Sequence, residues 1–229
     1  MENNFRTQFE RHVHLYHYTT LESLMFILVN KVLKFNKVDN FNDLSESTRN
    51  EHAKFFASCL TYSKEESIPL WHIYANKENG VRIGFPNINV FGEDFYFYND
   101  DESKNTERLS KIGGILCGQV EYDDDLASKS PSVGTYGFRA TQVYHMACQK
   151  REVWSYEKEL RYFIVDDANV IKDAKCLYIS MNEDFFNKME IILSPYMADY
   201  KKAIIKEAIK NLGYENIKVD HSELNETIR

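Results

Sequence analysis

Three stretches of this chain carry side chains in patterns that chemistry uses. In Leu15-Tyr16-His17-Tyr18-Thr19-Thr20 a histidine ends a β-prone run just before a helix start, where Thr19 and Glu22 have the spacing of a capping box. An imidazole at such an edge can bond a sugar hydroxyl, with Tyr18 or Thr19 bracketing a ligand. The plain alternative is a histidine bonded to a neighbouring carbonyl. In Trp71-His72-Ile73-Tyr74-Ala75 the two large rings stand three apart, on one helical face, and can wall a flat ligand or simply fill a core. The third stretch runs from Trp154 through Tyr156, Glu157 and Glu159 to Ile164. Period-two alternation puts Leu160, Tyr162 and Ile164 on one strand face, and Glu159 and Arg161 on the other beside Phe163 and Val165. A structural ion pair and a catalytic carboxylate account for that pattern equally well. A His12-x-His14 pair also points two imidazoles to one strand face, but no carboxylate or cysteine is spaced to complete a tetrahedral set, so a surface pair and no metal site are expected.

The elements that must position these residues follow from periodicity. Strands are expected at Leu15 to Tyr18, Val32 to Phe35, Phe55 to Thr61, Val81 to Phe85, Ile115 to Tyr122, Leu160 to Val165, Cys176 to Ile179, Ile191 to Leu193 and Ile217 to Val219. The Val81 strand reads as half-buried, because Arg82 and Gly84 alternate with apolar residues. A helix with Leu21, Leu24, Met25, Ile27 and Leu28 on its apolar face follows the first strand, and a short one covers Ile68 to Asn76. A C-terminal helix has Ile204, Ile205, Ala208, Ile209 and Leu212 on one face. Asp39-Asn40-Phe41-Asn42-Asp43 forms a polar turn, and Asn99 to Glu107 and Asp123 to Gly134 read as charged loops. Strands outnumber helices without alternating strictly with them, which favours an α+β fold over a doubly wound sheet. No Pro/Gly/Ser-rich stretch divides the 229 residues, so residues 1–229 read as a single domain.

Composition limits function. The net charge of −7 argues against broad phosphate-driven nucleic-acid binding, while leaving room for a local basic surface. The start of the chain lacks a secretion signal, and no stretch approaches the ~20 apolar residues of a membrane span, so the cytoplasm and no membrane partner are expected. Cys59, Cys117, Cys148 and Cys176 form no C-x-x-C pair and read as reduced, mostly buried thiols.

Taken together, the stretches resemble a large, mostly bacterial family known only as domain of unknown function 2971. The resemblance rests on His17-Tyr18-Thr19-Thr20, on Asn42-Asp43 with Glu46, and on Trp71 with Tyr74, Gly80, Gly84 and Phe85. It continues through Trp154, Tyr156, Glu157, Glu159 and Arg161 to Ile191-Ile192-Leu193-Ser194-Pro195. The order of parts also resembles the ADP-ribosyltransferases of the histidine-tyrosine-glutamate type: His17 takes the first-strand place and Glu159-Leu160-Arg161-Tyr162 opens the later strand. Tyr62 and Tyr74 both lie where the aromatic belongs. Glu157 and Glu159 are similar to the paired glutamates of arginine-modifying members, whose Ser-Thr-Ser motif is absent here.

The resemblance implies an α+β, ADP-ribosyltransferase-like split mixed or antiparallel sheet with flanking helices, and NAD as substrate. Glu159, His17 and Tyr74 would be catalytic. His17, Tyr18, Thr19, Trp71, Tyr74 and Arg161 would bind NAD, with Arg161 on the phosphates or holding Glu159. Glu157, Asn42 and Asp43 would bind substrate, with Asn42 and Asp43 lining the cleft from their loop, and the acceptor would be an unknown protein or nucleic acid. A bacterial toxin or anti-phage effector would fit. Glu159→Gln is expected to be nearly inactive with the fold preserved. Two rival readings are a non-catalytic nucleotide sensor or partner-binding module of a defence system, and a metal-dependent hydrolase or nuclease using His17 and the acidic loop around Asp43.

Overall fold

The computed structural model describes residues 14–43, 45–46, 55–86, 90–125, 147–166, 170–171 and 174–225. Strand β1, His14–Thr20, is followed by helix α1, Leu21–Asn30, and β2, Val32–Lys37; then come β3, Phe55–Thr61, α2, Ile68–Ile73, and β4, Gly80–Pro86. The middle of the chain holds β5, Phe91–Tyr98, β6, Lys104–Arg108, β7, Leu116–Gln119, β8, Glu121–Tyr122, β9, Gln149–Lys150, and β10, Glu159–Val165. It ends with β11, Cys176–Met181, α3, Glu183–Lys188, β12, Glu190–Leu193, α4, Asp199–Asn211, and β13, Lys218–His221. Pairing is mainly antiparallel, with β12–β13 and β8–β9 parallel, so the fold is the α+β arrangement expected from the sequence.

The described residues fall into two compact units. The first draws on Leu33–Cys59 and Glu93–Ile179, the second on His12–Val32, Leu60–Gly92 and Ser180–Arg229. In the first, strands run in the order β2-β11-β5-β6, β2 also pairs with β3, and β10 lies between β3 and β7. Its core gathers Val38, Phe55, Ala57, Ala147, Cys148 and Phe163. In the second, the order is β13-β12-β4-β1, with β1 and β4 in register from His14↔Pro86 to Thr20↔Gly80. Gly80, where β4 begins, permits a close approach: a Cβ there would lie 2.6 Å from the Ala75 carbonyl oxygen and 2.8 Å from the Ala75 Cβ.

Several expectations are corrected. Thr20, not Thr19, caps α1, because the helix begins at Leu21 and the hydroxyl of the residue directly before it accepts from the Ser23 amide. Strand β4 is buried along both faces rather than one, including Arg82. The charged segment Asn99 to Glu107 is a tight turn plus β6, paired with β5 from Asp94↔Arg108 to Tyr98↔Lys104. Helix α4 buries Lys202, Ile205 and Ile209 but exposes Ile204, and Leu212, exposed too, is its C-cap. Helix α3 was not anticipated at all. His12 and most of the Asp123 to Gly134 segment lie outside the described residues.

Candidate functional site

The expected site residues divide between the two units, and each unit brings its own share together. In the first, Glu159 opens β10, its amide donating to the Tyr122 hydroxyl at 2.8 Å. Its carboxylate is gripped by both arms of Arg161, with Nε donating to Oε1 at 2.8 Å and Nη2 to Oε2 at 3.0 Å. Period two on the strand makes this possible, since residues i and i+2 share a face. Arg161 also donates from Nη1 to Glu46 Oε1 at 2.6 Å and to the Ala147 carbonyl at 2.8 Å. Lys150 closes the cluster, its Nζ 2.6 Å from Glu157, 3.4 Å from Glu159 and 3.9 Å from Glu46. Its ammonium also lies 4.7 Å from the centre of the Trp154 ring.

Glu46, Glu157, Glu159, Lys150 and Arg161 are all buried, so this is a dry cluster of three carboxylates and two cations. Burial by itself pushes the Glu159 carboxyl up. The charges of Arg161 and Lys150 overcome it and hold the group ionised, at about 2. In return the carboxylates raise Arg161 and Lys150, although burial opposes this in both. Cys59 lies against Glu159, and burial together with that negative charge drives its thiol far up. Asp43 is buried at the edge of the unit, paired with Arg151 at 3.2 and 3.3 Å and accepting from the Ser45 amide at 3.0 Å. Burial would raise its carboxyl, but the Ser45 and Arg151 bonds lower it. Asn42, beside it, is exposed.

In the second unit β1 sets out the first stretch as follows. His17 is half-buried opposite Ile83, its ring edge-on to Phe85 at 6.4 Å. Thr19 is buried. Tyr18 packs edge-on against Trp71 at 4.9 Å, and its hydroxyl accepts from the Ser67 amide at 3.0 Å. Trp71 is wholly buried among Tyr18, Leu70 and Ala75, and its Nε1 donates to Glu66 at 2.9 Å. The pair expected to wall a flat ring is therefore split. Trp71 is core, and only Tyr74, at the end of α2, offers an exposed ring. Tyr62 is half-buried in the loop after β3.

That loop is fastened by residues the sequence reading did not single out. Arg82 donates from Nη2 to the carbonyls of Ser63, at 2.8 Å, and Lys64, at 2.6 Å, while its guanidinium lies 3.6 Å over the Tyr16 ring. Glu66 accepts from Trp71, from the Ser222 hydroxyl and from the Glu223 amide. Lys150 and Tyr122 in the first unit were likewise missed: Tyr122 meets Glu159 from 37 residues away, and Lys150, only 7 and 9 residues before Glu157 and Glu159, carries no local signal of burial. Glu46 had a signal, its place shortly after Asn42-Asp43. Among the described residues no group of His, Cys, Asp or Glu is arranged to hold a metal ion, and no helix is long and apolar enough to cross a membrane.

Comparison with known proteins finds a matching family model and similar solved structures. The family model described as a protein of unknown function (DUF2971) matches residues 70–162, the span that holds Trp71, Tyr74, Gly80, Gly84, Phe85, Glu157, Glu159 and Arg161. No curated protein matches the chain. Among solved structures the chain is similar to DarT of Thermus sp. 2.9 in complex with ADP-ribosylated single-stranded DNA, at 9% identity and a TM-score of 0.39, over 93% of this chain and 95% of that one. It is also similar to the same protein in complex with carba-NAD+, at 10% identity and a TM-score of 0.36, over 93% and 96% of the two chains. For the complex with NAD+ the identity is 11% and the TM-score 0.34, over 93% and 96%.

Proposed function

We propose that the protein cleaves the bond between nicotinamide and ribose in NAD and transfers the ADP-ribose to a macromolecular acceptor, protein or nucleic acid. The observation that carries this reading is the Glu159 carboxylate, fixed at the opening of β10 by Arg161 and kept ionised by Arg161 and Lys150. When the N-glycosidic bond breaks, its electron pair leaves with the ring nitrogen as neutral nicotinamide, and positive charge develops on the sugar. A preorganised carboxylate beside the sugar lowers the energy of that oxocarbenium-like state, as in glycoside hydrolysis. The cluster around Glu159 holds one more carboxylate than cation, so its local charge has the required sign. The acceptor nucleophile then bonds to the anomeric carbon and gives up a proton.

His17 is assigned to a sugar hydroxyl and Tyr74 to the nicotinamide ring, with Tyr18 and Thr19 beside His17 on β1. Trp71 acts through Glu66 and Tyr18 rather than by stacking, and Arg161 holds Glu159. Glu157, Asn42 and Asp43 are assigned to substrate binding. A toxin or anti-phage role would follow from such an activity and would appear as growth arrest on expression.

Nicotinamide release from NAD, with cell lysate as the source of acceptor, tests the reading. Wild type should release it, and Glu159→Gln should be slower by on the order of a hundredfold or more. Calorimetric titration with NAD supplies a second readout on wild type. Absence of both release and binding would end the proposal. One observation favours the rival, a non-catalytic nucleotide sensor: Arg161 occupies both oxygens of Glu159. NAD binding without turnover would establish that reading instead.

A further inference from the structure

The outer face of the β5–β6 hairpin, in the first unit, has no part in the site described above. Alternation along β5 buries Phe95 and Phe97 and turns Tyr96 and Tyr98 outward. The rings of Tyr96 and Tyr178, the latter on β11, stack at 4.8 Å with 16° between their planes. Tyr98 stands edge-on to both, at 5.8 Å from Tyr96 and 6.1 Å from Tyr178, and is 45% exposed. Lys104 already lies with its ammonium 4.0 Å from the centre of the Tyr96 ring, so this face holds a cation within the protein itself. Strand β6 ends the strand order, with no strand on its outer edge among the described residues. Between residues 93 and 111 stand six carboxylates (Glu93, Asp94, Asp100, Asp101, Glu102, Glu107) against Lys104, Arg108 and Lys111, a net −3 in a chain of −7, with Lys111 paired to Glu107. Arg108 is spoken for by Glu93, at 2.5 Å, and Asp94, at 3.8 Å.

We infer that this face and the β6 edge bind an extended, Lys/Arg-rich segment of a partner protein. The segment adds as a strand along β6, lays a cation on the open ring of Tyr98, and places others against Asp100 and Glu102. Three features converge on that occupant. The β6 edge, unpaired among the described residues, supplies backbone pairing for an added strand. Tyrosine faces attract ammonium and guanidinium groups. The excess of carboxylates draws a basic chain and repels phosphate, which argues against nucleic acid on the same tyrosines. The inference does not depend on the NAD reading, since no residue of it belongs to the Glu159 cluster.

The test is a fluorescence-anisotropy titration of the full chain with a labelled ten-residue peptide of alternating Lys/Arg and Val/Thr, and with a ten-nucleotide oligothymidine. The peptide should bind saturably and weaken as salt is raised. Tyr98→Ala should lower its affinity about three- to fivefold, while Tyr98→Phe keeps it. Asp100→Lys combined with Glu102→Lys should lower it on the order of tenfold at low salt. On wild type, amide NMR shifts on peptide addition should concentrate at residues 94–108, a readout that needs no variant to fold. Absence of saturable peptide binding, affinities unchanged in these variants, shifts elsewhere, or tighter binding of the oligonucleotide would each overturn the inference.

Discussion

Arg161 and Arg82 are both buried guanidinium groups at the centre of a strand, and the two units satisfy them in opposite ways. In the first unit Arg161 is met by carboxylates, Glu159 and Glu46, with Lys150 sharing the load. In the second Arg82 makes no ion pair with a described residue; its partners are two backbone carbonyls and the face of Tyr16. A charge met by charge stays responsive, because each member sets the ionisation of the others. A charge met by carbonyl dipoles and a ring is a fixed strut. Chemistry that needs a controlled carboxylate is better sited in the first unit, and the shape of a loop is better held by the second.

The comparison predicts unequal costs. Arg161→Met leaves Glu159 and Glu46 buried with only Lys150 nearby, which should destabilise the protein by about 3–5 kcal/mol in urea unfolding. The expectation that Glu159→Gln spares the fold is not met by this geometry either: Arg161 donates to both carboxylate oxygens, and an amide offers one acceptor and turns its NH2 against the other arm. A lowered unfolding midpoint should accompany the loss of activity, so rates should be compared below that midpoint. If Arg161→Met cost less than 1 kcal/mol, the cluster would not be the closed network described.

Acid sharpens the contrast next. Glu159 is held below its ordinary 4.5, at about 2, so its contribution is fully present above pH ~4.5 and is lost as the pH falls toward ~2. Unfolding free energy should decline across that window by up to roughly 3 kcal/mol, and Glu159→Gln should flatten the decline. Arg82→Met keeps the aliphatic stem and removes two charged hydrogen bonds, for a cost of about 1.5–3 kcal/mol, without altering the acid profile. An acid profile that flattened in Arg82→Met as well would mean the two arginines are not differently satisfied.

What the sequence made legible was what local period can encode. Strand β3 was readable from end to end because Phe55 to Thr61 is one continuous β-prone run, and Glu159 and Arg161 were placed on a common face by alternation alone. Lys150 was not, since nothing near Gln149-Lys150-Arg151 signals that this ammonium will be buried against Glu157 and Glu159. Helix α4 misled for a related reason. Lys202 buries its stem and sends its ammonium to Asp199 and Asn225, taking a place that hydropathy assigns to an isoleucine, while Ile204 faces out. Strand β6 was hidden by its charge, because both Lys104 and Glu107 read as loop although they alternate across a strand.

The Glu66 carboxylate has a consequence in the order of assembly. Two of its three donors, the Ser222 hydroxyl and the Glu223 amide, are separated from it by 156 and 157 residues. During synthesis β3 and the loop after it are made long before the residues that complete that latch. The loop thus waits, polar and half-tied by Trp71 and Arg82, until residues 222 and 223 arrive, and closing so long a span comes late and slowly in folding.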